Sequence, residues 1–203
     1  MNIKDLFVSS MDEYKVYSDL INDVVKISIN LPANVFRDGY KYFSFEEFDW
    51  VMTEEFSEKL KLLALETNEP FVLIAVLDPN PVEYYYKEFG YFNWIKVPTN
   101  LLNKIYFEAL EHSPEESVAD SILINSQKVV WTVPSAKWAI WGDRDFETCI
   151  LGFKEACQIN SEHLDGWKTV EDALEIWLKL AFRNQNVPKD FKRQMISNYH
   201  NAM

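Results

Sequence analysis

The sequence predicts an α+β fold, with several helices packed on a mixed or antiparallel sheet, for three reasons. Apolar stripes at helical spacing alternate with short β-branched runs in the first part of the chain. After Lys128, three apolar runs are separated only by turn residues, which predicts a late β-meander. The run Phe71–Leu77 is apolar at every position and needs cover on both faces. We therefore expect it to be an interior strand.

The first 70 residues predict a helix, a strand and a second helix in that order. A capping box at Ser10 predicts a helix over 11–23. The run Val24–Leu31 is rich in β-branched residues and is closed by a proline, so it predicts a strand. A second capping box, at Ser44, opens an apolar stripe and predicts one long helix that reaches Thr67.

The remainder of the chain predicts four further helices besides the meander. An apolar stripe over Leu101–Leu110 predicts one helix, and Ser113–Glu116 predicts that another follows at once, because proline suits the first helical position. Thr169 caps a third, and 188–199 forms a fourth. The aromatic segment Tyr84–Trp94 has no clean period and predicts no element. The meander strands are expected at 129–133, 138–141 and 146–153.

The chain is predicted to form a single domain over 1–203, because no Gly/Ser/Pro-rich linker divides it. Its net charge is −12, and the excess lies within the first 120 residues, since the later part is balanced. Such a charge repels phosphate backbones and anionic lipids, so we expect no nucleic acid and no membrane partner, but a cationic protein. With no long apolar run and no apolar leader, the cytoplasm is the expected location. Nothing in the pattern indicates an oligomeric state.

Common catalytic and cofactor motifs are missing from the sequence. No two of the five glycines have phosphate-loop or dinucleotide spacing, and no nucleophile elbow occurs, so no cofactor is expected. Cys149, Cys157 and His163 have the residue types of a metal site, and Cys157, His163 and Asp165 those of a nucleophile, base and orienting group. Neither spacing is that of a known metal knuckle or catalytic triad. We therefore expect no bound metal, and we expect both cysteines to remain reduced thiols.

The leading candidate site is the acidic region that follows Ser44. In the predicted long helix the acids would lie off the apolar stripe, either as a merely solvated face or as a docking surface for a basic partner. Nearby acids earlier in the chain add to the same charge, and the aromatics beside them could anchor a partner. The predicted partner-binding residues are Glu46, Glu47, Asp49, Glu54, Glu55 and Glu58.

A second polar cluster lies in the turn after Trp141. Its three carboxylates and one guanidinium could bind a cation or act as acid and base, which would make the protein an enzyme or a small-ligand binder. The alternative is a polar hairpin tip, since Gly-Asp suits a tight turn. The residues of this alternative site are Asp143, Arg144, Asp145 and Glu147.

The carboxyl end, in contrast, is basic. Five basic residues over 179–193 face one acid, Asp190. This end is expected either to clasp the acidic half of the chain or to form a separate contact surface.

The segment Trp131–Glu147, with its Pro-Ser turn, tryptophan strand and acidic turn, resembles the late hairpin of small bacterial immunity-type proteins. The resemblance implies a non-enzymatic cytoplasmic protein that binds a cognate toxin of a polymorphic or contact-dependent system. It carries over no individual functional residue. Together with the charge, it favours a protein that masks a basic toxin through an acidic surface. The competing hypotheses are an enzyme or ligand binder at the turn, and an assembly protein.

Overall fold

The computed structural model describes residues 2–154 and 160–200, which form helices on both faces of one sheet. The α-helices of the described residues are α1 (Met11–Val24), α2 (Phe48–Val51), α3 (Phe56–Glu66), α4 (Lys87–Phe89), α5 (Leu102–Glu111), α6 (Val170–Ile176) and α7 (Lys189–Tyr199). The strands are β1 (Tyr40–Glu47), β2 (Phe71–Asp78), β3 (Trp94–Pro98), β4 (Lys128–Thr132), β5 (Trp138–Asp143) and β6 (Thr148–Lys154). The α+β prediction is thereby confirmed.

The six strands form one open sheet in the order β1-β6-β5-β4-β2-β3, and every neighbouring pair is antiparallel. The predicted meander is confirmed as β4, β5 and β6. The predicted interior position of Phe71–Leu77 is confirmed as well, because β2 pairs with β3 on one side and with β4 on the other. Its alternate side chains enter two different cores: Val72 and Ile74 lie on one face, and Leu73 on the other.

Two layers of helices cover the sheet. We call α2, α3 and α5 the front layer, because they contribute buried residues such as Val51, Leu60 and Tyr106 to one core. We call α1, α6 and α7 the back layer, which buries residues such as Ile21 and Leu174 in the other core. Apolar residues on both faces of the central strands are thus removed from water.

The strand predicted at Val24–Leu31 is wrong. Helix α1 continues through Val24, and Val25 forms only an isolated bridge with Phe36. Val24 and Val25 are buried in the back core, whereas Ile27 is exposed. Among the described residues, the pairing of this segment is limited to two backbone hydrogen bonds, from Lys26 to Val35 and from Arg37 to Val24.

The long helix predicted from Ser44 to Thr67 is also wrong in its first part. Residues 40–47 form strand β1, in which Phe43 and Phe45 point into the back core and pair with β6. The helical part is broken between α2 and α3. Pairing with β6 and the burial of alternate aromatic residues outweigh the local capping signal, because tertiary packing overrides propensity.

The second of the two consecutive helices, predicted from Ser113, is absent from the described residues. The connection between α5 and β4 consists of turns held by tertiary hydrogen bonds. The Arg144 side chain donates to the carbonyls of Ser126 and Leu123, at 2.8 Å each. The unassigned aromatic segment Tyr84–Trp94 contains the end of a π-helical turn, Pro81–Tyr86, then α4, and it reaches the first residue of β3.

Candidate functional site

The six predicted partner-binding acids do not share one helix. Glu46 and Glu47 end strand β1, Asp49 lies in α2, Glu54 and Glu55 occupy the turn before α3, and Glu58 lies in α3. Glu46 is half-buried, and the other five are exposed. Glu47 and Asp49 lie close enough to act on the same neighbour, Glu147, whereas Glu54 lies beside α5.

A groove between α3 and α5 adds acids that the sequence analysis did not include. Glu54 and Ser57 line one side, and Glu108 and Glu111 of α5 line the other, in a cavity of about 140 Å³. Lys104 also lines the groove. The sequence indicated only that α5 is an amphipathic helix. It did not indicate that α5 lies beside α3, because packing on the sheet determines which helices are neighbours.

The acids of this groove form no ion pair within the described part of the chain, although Lys104 lines the same groove. Among residues 2–154 and 160–200, no ion pair involves any of five front-layer acids, namely Glu54, Glu55, Glu58, Glu108 and Glu111. Ion pairs occur in both layers: Asp49 of α2 pairs with Arg144 at 3.6 Å, Asp12 with Lys15 in α1, and Glu175 of α6 with Lys192 of α7. These five acids are exposed and have no basic side chain within ion-pair distance among the described residues. We call these five acids and Glu47 the acidic face.

Carboxylates crowd together where β1 meets α2. The pKa of Glu147 is raised by its burial first, and then by the negative charges of Asp49 and Glu47. Burial likewise raises the pKa of Glu46, against the opposing charges of Lys59 and Lys168. The predicted acidic region and the end of the predicted turn cluster are thus neighbours in space, which the sequence alone did not indicate.

The four residues of the alternative site interact in two pairs, Asp143 with Asp145 and Arg144 with Glu147. Asp143 is buried, with 2% of its surface exposed, and its carboxylate accepts from the Asp145 backbone N–H at 3.0 Å. Arg144 binds two backbone carbonyls, and its guanidinium lies 4.7 Å from the Phe48 ring centroid. Asp145 is exposed, while Glu147 interacts with the acids of β1 and α2. Arg144 is therefore a structural residue that anchors the connection before β4, a role that the sequence analysis missed.

The cysteine and histidine candidates lie in different environments. Cys149 is completely buried in the front core, and burial raises the pKa of its thiol well above the ordinary value. The Nδ1 atom of His163 lies 2.7 Å from Glu66 Oε2, and the backbone carbonyl of Asp165 accepts from Lys59. Cys157 lies outside the described residues. Within the part of the chain that the structure describes, no three His, Cys, Asp or Glu side chains are grouped to hold a metal ion.

Comparison with known proteins yields no relative. No family model, no curated protein and no solved structure matches the chain. In the described ranges, none of the helices combines the length and the apolar content that crossing a bilayer requires. The function must therefore be argued from the surface of the molecule.

Proposed function

We propose that the protein is a non-catalytic binding protein that captures a cationic protein partner through the acidic face. The observation that carries the proposal is the set of exposed carboxylates around the α3–α5 groove, none of which has an ion-pair partner among the described residues. Masking of a basic toxin, as the immunity-type resemblance implies, is the form of this function that we favour.

The chemistry of the groove suits a basic side chain. Carboxylates on both walls, Glu54 opposite Glu108 and Glu111, can accept hydrogen bonds from an ammonium or guanidinium group. Phe107, which is partly exposed, also lines the groove and provides apolar surface for the methylene stem of such a side chain. Exposed carboxylates of one sign increase the encounter rate with a cationic partner and discriminate against anionic ones.

The test is a charge reversal on the acidic face with a matched control. The variant Glu47→Lys, Glu54→Lys, Glu58→Lys is compared with Asp19→Lys, Asp23→Lys, Glu171→Lys, which changes net charge equally at exposed back-layer positions. A partner captured from lysate by the wild-type chain is purified, and its association is measured at two salt concentrations. We expect the front variant to lower the on-rate by about tenfold or more at low salt, and the control to change it far less.

Two results would contradict the proposal. One is that no partner is retained by the wild-type protein, and the other is that the on-rate is insensitive to both salt and the front-layer reversal. The pair Asp143→Asn, Asp145→Asn completes the comparison, and we expect it to leave binding unchanged. A turnover that this pair abolishes would instead establish the enzyme alternative.

A further inference from the structure

A second and larger cleft lies beyond the acidic face, near the start of the chain. It has a volume of about 340 Å³ and lies between the turn Ile3–Leu6, the aromatic segment and the residues that follow α5. Its apolar lining comes from Phe89, Tyr91 and Pro114. This volume lies within the range of about 300–1,000 Å³ that is typical of ligand pockets.

The aromatic wall of the cleft is held in place by a chain of ring contacts. The Tyr85 ring packs against Phe89 at 4.9 Å and against Tyr91 at 5.4 Å between centroids, and Tyr91 packs against Phe7 at 5.3 Å. The Tyr85 hydroxyl donates to the Asp120 carbonyl at 2.8 Å. Because Tyr85 and Phe7 are buried, the two rings that face the cleft are supported from behind. The wall is therefore preorganised before any ligand arrives.

The cleft already contains one cationic group, the ammonium of Lys4. The Lys4 Nζ atom lies 2.5 Å from Glu115 Oε1, and this ion pair raises the pKa of Lys4 and lowers that of Glu115. Glu116 also lines the cleft but takes part in no ion pair among residues 2–154 and 160–200. One lysine faces two carboxylates, so the cleft retains an excess negative charge.

We infer that this cleft is a receptor site for an arginine side chain of a protein partner, with Lys4 as an internal competitor for the same carboxylates. Arginine fits better than lysine, because its planar guanidinium stacks on aromatic rings and donates to two carboxylates at once. Glu116 supplies the free carboxylate, and Glu115 becomes available as Lys4 is displaced. This inference extends the proposed function to residues outside the acidic face, and its test needs no protein partner.

The probe is a blocked arginine, N-acetyl-arginine amide, titrated into the full chain and followed by NMR. The neutral control is N-acetyl-citrulline amide, which has nearly the same shape. We expect arginine to bind at least about tenfold more tightly than citrulline, a difference of about 1.4 kcal/mol. Glu116→Gln should weaken arginine binding by about threefold to tenfold, and Lys4→Met should strengthen it by a similar factor. Glu83→Gln, an exposed substitution in the π-helical turn Pro81–Tyr86 that removes the same charge, should leave it unchanged.

Strengthening by Lys4→Met would show that the Lys4 ammonium opposes arginine binding, and because the substitution also removes a positive charge, it is interpreted together with the preference for arginine over citrulline. The inference is overturned if arginine and citrulline bind equally, if arginine does not bind at all, or if Lys4→Met leaves arginine affinity unchanged or reduced. Since the probe is a single amino acid, these results are independent of the charge reversals on the acidic face.

Discussion

The buried carboxyl group of Asp143 makes the stability of the fold depend on pH. It closes strand β5, and burial raises its pKa to about 6 from an ordinary 3.8, although Lys128 acts in the opposite direction. The folded state therefore binds this proton more tightly than the unfolded state does. The resulting stabilisation is fully present below the ordinary pKa and is lost as the pH rises through about 6.

The variant Asp143→Asn should remove this pH dependence. Asparagine keeps an oxygen to accept from the Asp145 N–H but carries no charge. Its free energy of unfolding at pH 8 should exceed that of the wild type by about 1–3 kcal/mol, and the difference should disappear near pH 4. Urea unfolding at both pH values measures this, with exposed Asp145→Asn as the control. A less stable Asn variant at pH 8 would show that the charged form is the stabilised one.

At the scale of elements, helix α7 illustrates how a basic segment is fixed by neutral contacts. Met195 and Tyr199 are buried in the back core. The Tyr199 hydroxyl donates to the Ala33 carbonyl at 2.8 Å and accepts from the Val35 N–H at 3.0 Å. In helix α7, Lys192 pairs with Glu175, which lies in the same half of the chain. Of the two expected roles of the basic end, the clasp on the acidic half is made by hydrogen bonds to the segment before β1, and the ion pairs of α7 within the described residues lie between positions 175 and 193.

Tyr199→Phe tests this anchor. The ring would keep its packing against Phe43 and Phe45, but a buried N–H and a carbonyl would lose their partner. We expect a loss of about 1–3 kcal/mol in the free energy of unfolding, together with faster hydrogen exchange at the Val35 amide. Tyr42→Phe is the matched control and should stay within about 0.5 kcal/mol. Unchanged stability and exchange in Tyr199→Phe would mean that α7 is held by its apolar contacts alone.

For the whole molecule, the net charge of −12 acts on stability as well as on binding. The acidic face concentrates part of this charge without internal compensation, so the folded chain experiences self-repulsion that salt can screen. Each Glu→Lys change adds two positive charges, and the triple reversal on the acidic face therefore brings the net charge to −6.

We expect the melting temperature of the wild type to rise between about 20 and 300 mM NaCl, because added ions shorten the screening length to well below the size of the domain. The triple reversal should melt higher than the wild type at low salt and respond less to added salt. Calorimetric scans at the two concentrations provide the measurement. A wild-type melting temperature that falls with salt would show that favourable ion pairs outweigh the repulsion.

The sequence by itself determined the fold class, the interior strand Phe71–Leu77, the late meander and the helices that begin near Met11 and Leu102. In each case the decisive pattern is local: a run of apolar residues, a period or a cap, which any tertiary arrangement must respect. Only the tertiary structure decided that Ser44 lies in a strand, because the pairing of β1 with β6 and the burial of Phe43 and Phe45 depend on residues that are distant in the chain.

For the candidate sites too, the sequence indicated some features and only the tertiary structure showed the others. The acidic composition after Ser44 was visible in the sequence, but the meeting of Glu54 with Glu108 and Glu111 and the cleft that contains Lys4 and Glu116 were not. Charge is a property of each residue, so composition reveals it. Which charges share a groove depends on how helices pack on the sheet, and that is set by the burial of apolar surface contributed by the whole chain.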